Sequence, residues 1–208
     1  LSILYQISSQ LHHNYIFAGE TSARSLFLTD SDRYLIFLPL FHANSQYYTT
    51  MASLVVGASI VLLPGFSATS FWKKVQRYEP TVSSFVPTVV KILLKQPKTK
   101  EEKRHTLRKA FYGLFLSKEE LEQVELRFGV KLFQGFGMTE SITANIITPI
   151  FEERRYDPET QIPALGRPAL SQEVKIVDEN KKEVPNGTVG EIAIKSPSLM
   201  AGYYKNPE

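Results

Sequence analysis

Between residues 33 and 134, short apolar runs closed by proline or glycine alternate with longer stretches that carry apolar residues at helical spacing. Arg33 to Leu38 is a compact run ended by Pro39, and Ser59 to Leu63 is β-branched, apolar and punctuated by Pro64-Gly65; both have the composition of strands, the second of a buried one. Between them Asn44 is placed to cap a helix running to about Val56, with Gly57-Ala58 as its stop. Phe71, Trp72, Val75 and Tyr78 put an apolar stripe on one face of a helix over residues 67–78. Pro80 precedes a strand at Thr81 to Val86, and Pro87 opens a helix through Leu94, since a first turn tolerates proline. Leu107 to Leu116 contains a further strand. Ser117 with Glu120 is a capping box for a helix to Phe128, and Val130 to Gln134 is a short strand. An alternation repeated four or five times is the pattern of an α/β fold, a mostly parallel sheet with flanking helices.

The flanks differ. Residues 1–28 carry scattered apolar positions and predict a helix with uncertain ends. The last quarter is turn-rich, with short strands at Val174 to Val177 and Glu191 to Ile194 of antiparallel character. The charged, proline-containing segment Glu152 to Gln161 marks a subdomain boundary, dividing the chain into residues 1–155 and 156–208.

Composition removes several function classes. The formal net charge is only +3, and the basic run Lys95 to Lys109 has the character of a solvated loop and helix face rather than a nucleic-acid groove. No cysteine is present, which excludes disulfides and thiolate metal sites and suits a reducing compartment. No apolar run reaches the roughly 18 residues that a spanning helix needs, and no transmembrane segment is expected. The expected location is cytoplasmic.

The stretch QGFGMTE, Gln134 to Glu140, follows a strand. Ligands of α/β sheets sit in the crevice beyond the carboxyl ends of the strands. Gly135 and Gly137 permit close approach, Phe136 can stack on a planar ring, and Thr139 can donate to a phosphate. Glu140 can help hold Mg²⁺, a hard cation that takes oxygen ligands. By chemistry alone, a tight turn and a nucleotide site both remain open. His42, after a strand and Pro39, suits a structural histidine as well as a functional one. His12 and His13 have no acidic or sulfur partner at ligand spacing. Phe71 and Trp72 are core residues by their spacing, and Glu119 with Glu120 is a solvated helix start.

Four stretches occur in an order that resembles the acyl-adenylate-forming enzymes, which include acyl-CoA synthetases, luciferases and peptide-synthetase adenylation domains. They are LPLFHANSQ (Leu38 to Gln46), FQGFGMTES (Phe133 to Ser141), ALGRP (Ala164 to Pro168) and GTVGEIAIKSPSLMAGYYKNPE (Gly187 to Glu208). The stretches lie between Leu38 and Glu208, and the resemblance covers about residues 12–208. The version here looks most like carnitine/crotonobetaine-type CoA ligases and neighbouring fatty acyl-CoA synthetases. The resemblance implies a two-step reaction. A carboxylic acid and ATP give acyl-AMP and pyrophosphate, and coenzyme A then displaces AMP.

By the same resemblance, Phe136 packs on adenine, Thr139 is a phosphate ligand, Glu140 is the Mg²⁺-associated carboxylate, and His42 lies at the gate of the carboxylate pocket. Gly135, Gly137 and Met138 shape the wall between adenine and acyl group, and Gln134 belongs to the nucleotide-binding set. Tyr112 and Gly113 stand beside the nucleotide. In relatives a G-G-A-P-L-S-like run lies here; Gly113 and Leu116-Ser117 are retained, while Leu114 and Phe115 replace alanine and proline and are expected to alter the acyl pocket. The family's phosphate loop has no counterpart in LSILYQISSQ, which lacks glycine, lysine and proline. The family pattern also continues past Glu208 to a ribose-binding aspartate and a small C-terminal domain with a catalytic lysine. The chain is therefore expected to be a middle piece, a second α/β subdomain followed by part of a distorted β-barrel-like subdomain. On its own it is expected to be inactive or nearly so, with an open sheet edge as a route to self-association. A non-catalytic scaffold remnant, or an adenylating enzyme with another acceptor, are the alternatives.

Overall fold

The computed structural model describes residues 7–206. Five strands run parallel in the order β3 (Ser59–Leu62), β2 (Arg33–Ile36), β4 (Val82–Phe85), β5 (Lys109–Tyr112), β6 (Lys131–Gly137). Two antiparallel strands, β7 (Ala144–Ile147) and β8 (Arg167–Pro168), complete a seven-stranded sheet. The alternation in the sequence thus gives the mixed α/β fold with flanking helices and a mostly parallel sheet.

Strand periodicity sorts the core into two layers. Leu35, Ala110, Tyr112 and Leu132 face α3 (Phe71–Tyr78), α4 (Pro87–Lys95) and α5 (Lys118–Phe128). Tyr34, Ile36, Phe111 and Phe133 alternate with them and face α1 (His12–Ser25) and α2 (Ala52–Val56). The predicted helix boundaries hold: Gly57 ends α2 in the left-handed region, and Ser117 and Glu120 form both halves of the capping box that starts α5.

Several expectations are corrected. The helix expected over residues 1–28 begins only at His12, after the two-residue strand β1 (Ser8–Ser9); residues 1–6 lie outside the described ones. Asn44 does not cap its helix: Asn44–Met51 is π-helical and Ala43 precedes it already in helical conformation. Ser59–Leu62 is an edge strand, with Ile60 and Leu62 exposed, because β2 is its neighbour on one side and no described strand lies on the other. The polar segment 96–106 is not simply solvated. Glu102 is buried and pairs with Arg127, whose guanidinium also donates to the carbonyls of Leu94 and Gln96 at 2.7 and 2.8 Å. His105 stacks on Trp72 at 4.9 Å. Lys109, from the run expected to be solvated, is buried on β5 and donates to the carbonyls of Leu26 and Phe27.

The last quarter contributes an antiparallel ribbon, β9 (Glu173–Val177) with β10 (Glu191–Lys195), in the register Glu191↔Val177 to Lys195↔Glu173. A second small ladder pairs β1 with β11 (Gly202–Tyr203), through Ser8↔Tyr203 and Ser9↔Gly202. Among the described residues no helix is long and apolar enough to cross a membrane.

Candidate functional site

A cleft of about 790 Å³ opens where the parallel strands end. One wall is His42, Ala43 and Asn44, after β2. A second is Gly113, Leu114 and Phe115, after β5. The floor is Gln134 to Gly137 of β6, running on to Met138 and Thr139. Ile162, Pro163 and Leu165 close the rim. Residues far apart in sequence meet here because parallel strands deliver their C-terminal ends to one edge of the sheet.

The signature stretch is not a tight turn. β6 continues through Gly135, Phe136 and Gly137, which pair with Ile147, Ile146 and Ala144 of β7, with an irregularity between Phe136 and Gly137. The two glycines are required by packing. A Cβ on Gly135 would collide with Phe111 Cε2, and one on Gly137 would strike the Thr143 carbonyl and come within 3.0 Å of the Tyr48 hydroxyl. The close approach predicted for a ligand is thus already made by the protein itself.

The chain turns only after Gly137. The Met138 carbonyl accepts from the amides of Ser141 and Ile142 at 3.2 and 3.0 Å. The turn, residues 138–141, is strapped from outside. Gln10 donates to the Thr139 carbonyl at 2.8 Å, the Met200 amide to the Glu140 carbonyl at 2.7 Å, and the Ser198 hydroxyl to the Ser141 carbonyl at 2.7 Å. Tyr203 donates its hydroxyl to Glu140 Oε1 at 2.7 Å, and this bond pushes the phenol above its ordinary pKa range. Behind the turn Ser141, Asn145 and Gln172 form a buried hydrogen-bonded chain.

The predicted residues are distributed as follows. His42, Gly113, Leu114, Phe115, Gln134, Gly135, Phe136, Gly137, Met138 and Thr139 all line the cleft. Glu140 is half-buried just beyond Thr139 and outside the lining. Tyr112 is fully buried on the opposite face of the sheet, since it alternates with Phe111 along β5. Its hydroxyl donates to Gln134 Oε1 at 3.3 Å, and Gln134 Nε2 donates to the Leu114 carbonyl at 2.8 Å. This relay supports Leu114 at φ 66, a left-handed conformation that costs a branched residue about 1–2 kcal/mol. The amide of Asn44 donates to His42 Nδ1 at 3.2 Å. That nitrogen is therefore an acceptor, and in the neutral ring the proton is on Nε2.

A model of the AMP-binding enzyme family matches residues 9–204. The chain belongs to that family. Among relatives, the crotonobetaine/carnitine–CoA ligase of Proteus mirabilis (strain HI4320) is 36% identical over 200 residues, which are 95% of this chain and 38% of that protein. The O-succinylbenzoate coenzyme A synthetase from Bacillus subtilis, solved with ATP and magnesium ion, is 28% identical with a TM-score of 0.78; the match covers 95% of this chain and 40% of that one. A benzoate CoA ligase from Burkholderia xenovorans LB400 shares the fold with a TM-score of 0.83 at 24% identity, over 96% of this chain and 40% of that one. The chain thus spans well under half the length of these AMP-binding relatives.

Sequence reasoning missed part of this cleft. Tyr48 and Phe111 lie in its wall, with ring centroids 5.4 Å apart. Asn44 was seen only as a cap. The spacing of Asn44 and Tyr48, four residues apart on a helix that begins beside His42, was the signal available. The straps from Gln10 and Tyr203 had no local signal, because they tie the turn to residues 129 and 63 positions away in the sequence.

Proposed function

We propose that this chain carries the acid- and nucleotide-binding part of an ATP-dependent carboxylic acid–CoA ligase. What carries the proposal is the convergence on one cleft of His42, the 113–115 segment and Gln134 to Thr139, in a chain of the AMP-binding family. In the first step a carboxylate oxygen bonds to the α-phosphorus of ATP, the bond from that phosphorus to the bridging oxygen breaks, and pyrophosphate leaves. In the second the thiol sulfur of coenzyme A bonds to the acyl carbon, the acyl–oxygen bond breaks, and AMP leaves.

His42 Nε2–H is the donor for the acid's carboxylate at the cleft mouth. Phe136 is the ring against which adenine packs, and Thr139, exposed at the end of the floor, donates to phosphate. Gly113, Gly135 and Met138 give the wall between the two substrates its depth. Leu114 and Phe115 limit the acyl side. Tyr112 acts through Gln134, holding the Leu114 backbone in place. Glu140 fits a magnesium role: one carboxylate oxygen is fixed by Tyr203, and the other has no partner among the described residues. A cation that uses one or two carboxylates together with substrate phosphates needs no larger cluster. When bound, Mg²⁺ supplies charge neutralisation for the phosphates. The division at residues 155/156, with the β9–β10 ribbon as part of a barrel-like subdomain, belongs to the same reading, as do a cytoplasmic setting and self-association through an open sheet edge of that subdomain.

The test is acid-dependent exchange of labelled pyrophosphate into ATP by the longest natural chain that carries these residues, followed by CoA-dependent release of AMP. Exchange that requires an acid, and AMP release that requires CoA, are expected. AMP release driven only by another thiol would reassign the acceptor, and no exchange with any acid would remove the ligase reading.

A further inference from the structure

Two polar side chains in the cleft have nothing to bond. Asn44 is 7% exposed; its Oδ1 is enclosed without a partner, and its side-chain amide makes no hydrogen bond among the described residues. One helical turn on, the half-buried Tyr48 donates to no described residue; its hydroxyl lies beside Gly137 and, unlike Asn44 Oδ1, is not enclosed. Burial pushes the Tyr48 phenol well above its ordinary range, so it stays a neutral donor. The surrounding wall is Phe111, Phe115, Phe136 and Met138. Among the described residues no Asp, Glu, Lys or Arg lines the cleft.

An unsatisfied buried polar group costs about 1–3 kcal/mol. A wall shaped for hydrocarbon alone is built more stably from Leu than from Asn at position 44, and gains nothing from the Tyr48 hydroxyl. A charged substituent is equally ill-suited, because desolvation against four apolar side chains would meet no countercharge. Resting on the ligase reading above, we infer that the acid taken by this cleft carries an uncharged hydrogen-bonding substituent, a hydroxyl or carbonyl, on its acyl part, held by Asn44 and Tyr48. Both residues are specificity-determining. A site built to bond such a group discriminates strongly against the analogue that lacks it, since its own polar groups are then left unpaired.

The experiment measures pyrophosphate exchange by the longest natural chain carrying these residues, with matched acids: butanoate against hydroxybutanoate and oxobutanoate, and benzoate against hydroxybenzoate. In at least one set the substituted acid is expected to exceed its plain counterpart by about tenfold or more in kcat/KM. In Tyr48→Phe and in Asn44→Leu that ratio is expected to collapse towards one. Because the readout is a ratio within one protein, a general loss of folded enzyme cancels. A ratio near one in the unmodified protein, a preference for an acid bearing a fixed cation, or a ratio unchanged in both variants would overturn the inference while leaving the ligase reading intact. Absence of exchange with every acid would instead remove the ligase reading, and the inference with it.

Discussion

Tyr203, near the end of the described chain, donates its hydroxyl to the carboxylate of Glu140 at 2.7 Å, across a separation of 63 residues. The bond joins the β1–β11 ladder to the turn that follows the cleft floor. It orients one oxygen of Glu140 and leaves the other available. Charge-assisted bonds of this kind contribute about 1.5–3 kcal/mol.

Tyr203→Phe is therefore expected to lower acid-dependent pyrophosphate exchange by about tenfold, the equivalent of about 1.4 kcal/mol, and to raise the Mg²⁺ concentration needed for half-maximal rate. Glu140→Ala is expected to reduce the same half-reaction further, and adding Tyr203→Phe to it should then have little extra effect. Independent, multiplicative losses in the double variant would show that the two residues do not act as a unit.

The glycines of β6 make a ranked prediction. The atom that obstructs a methyl group at Gly135 belongs to a side chain, Phe111, whereas at Gly137 it is the Thr143 backbone carbonyl. Gly135→Ala is expected to destabilise by about 1–3 kcal/mol, as overpacking does. Phe111→Leu in the same chain should recover part of that loss. Gly137→Ala should cost more and find no such recovery. Urea unfolding of the four proteins checks the order; equal losses at the two glycines would contradict it.

Glu102 and Arg127 form a buried pair at 2.8 Å, with side chains 3% and 13% exposed. Glu102→Gln leaves the guanidinium without its countercharge. The expected loss is about 3–5 kcal/mol in unfolding free energy, the usual result of breaking one side of a buried pair. A loss below about 1 kcal/mol, the range of surface pairs, would mean that water reaches the site.

His105 provides a pH dependence. Burial lowers its pKa below the ordinary histidine value, although the carbonyls of Glu102, Phe128 and Leu107 act in the opposite sense. The folded state thus prefers the neutral ring. Above an unfolded pKa of about 6.5 neither state holds the proton and stability is at its full value. As pH falls below that value the unfolded chain takes up the proton first, and stability declines until the folded pKa is passed. Tm is expected to fall between pH 7.5 and 5.5, and more steeply in the unmodified protein than in His105→Phe. Identical slopes would remove His105 as the cause.

Much of the fold was legible because its signals are local. The capping box at Ser117 and Glu120, Pro87 at a helix start and Gly57 at a helix end each depend on a few neighbouring residues. The exposure of β3 was not legible, since Ser59 to Leu62 has the same composition whether its sheet continues on both sides or on one; strand order decides, and that is set by distant segments. Burial of Glu102 was hidden for the same reason, its partner lying 25 residues further on. At the candidate site, motif order foretold which segments meet. It did not foretell that Tyr112 points away from the cleft while Phe111 lines it, because a period of two fixes alternation but not which face is which.

The cleft walls come from separate strand ends, and this has a consequence for substitution. Phe111, Gly135 and Gly137 are locked into the sheet by neighbours that leave no room for change. Leu114, Phe115 and Ile162, at 76%, 50% and 49% exposure, hang from it with no such obligation. Substitutions at the rim are therefore expected to leave the fold intact, whereas substitutions in the floor are not. Tolerance at the rim and intolerance in the floor are two outcomes of one division of labour between loops and strands.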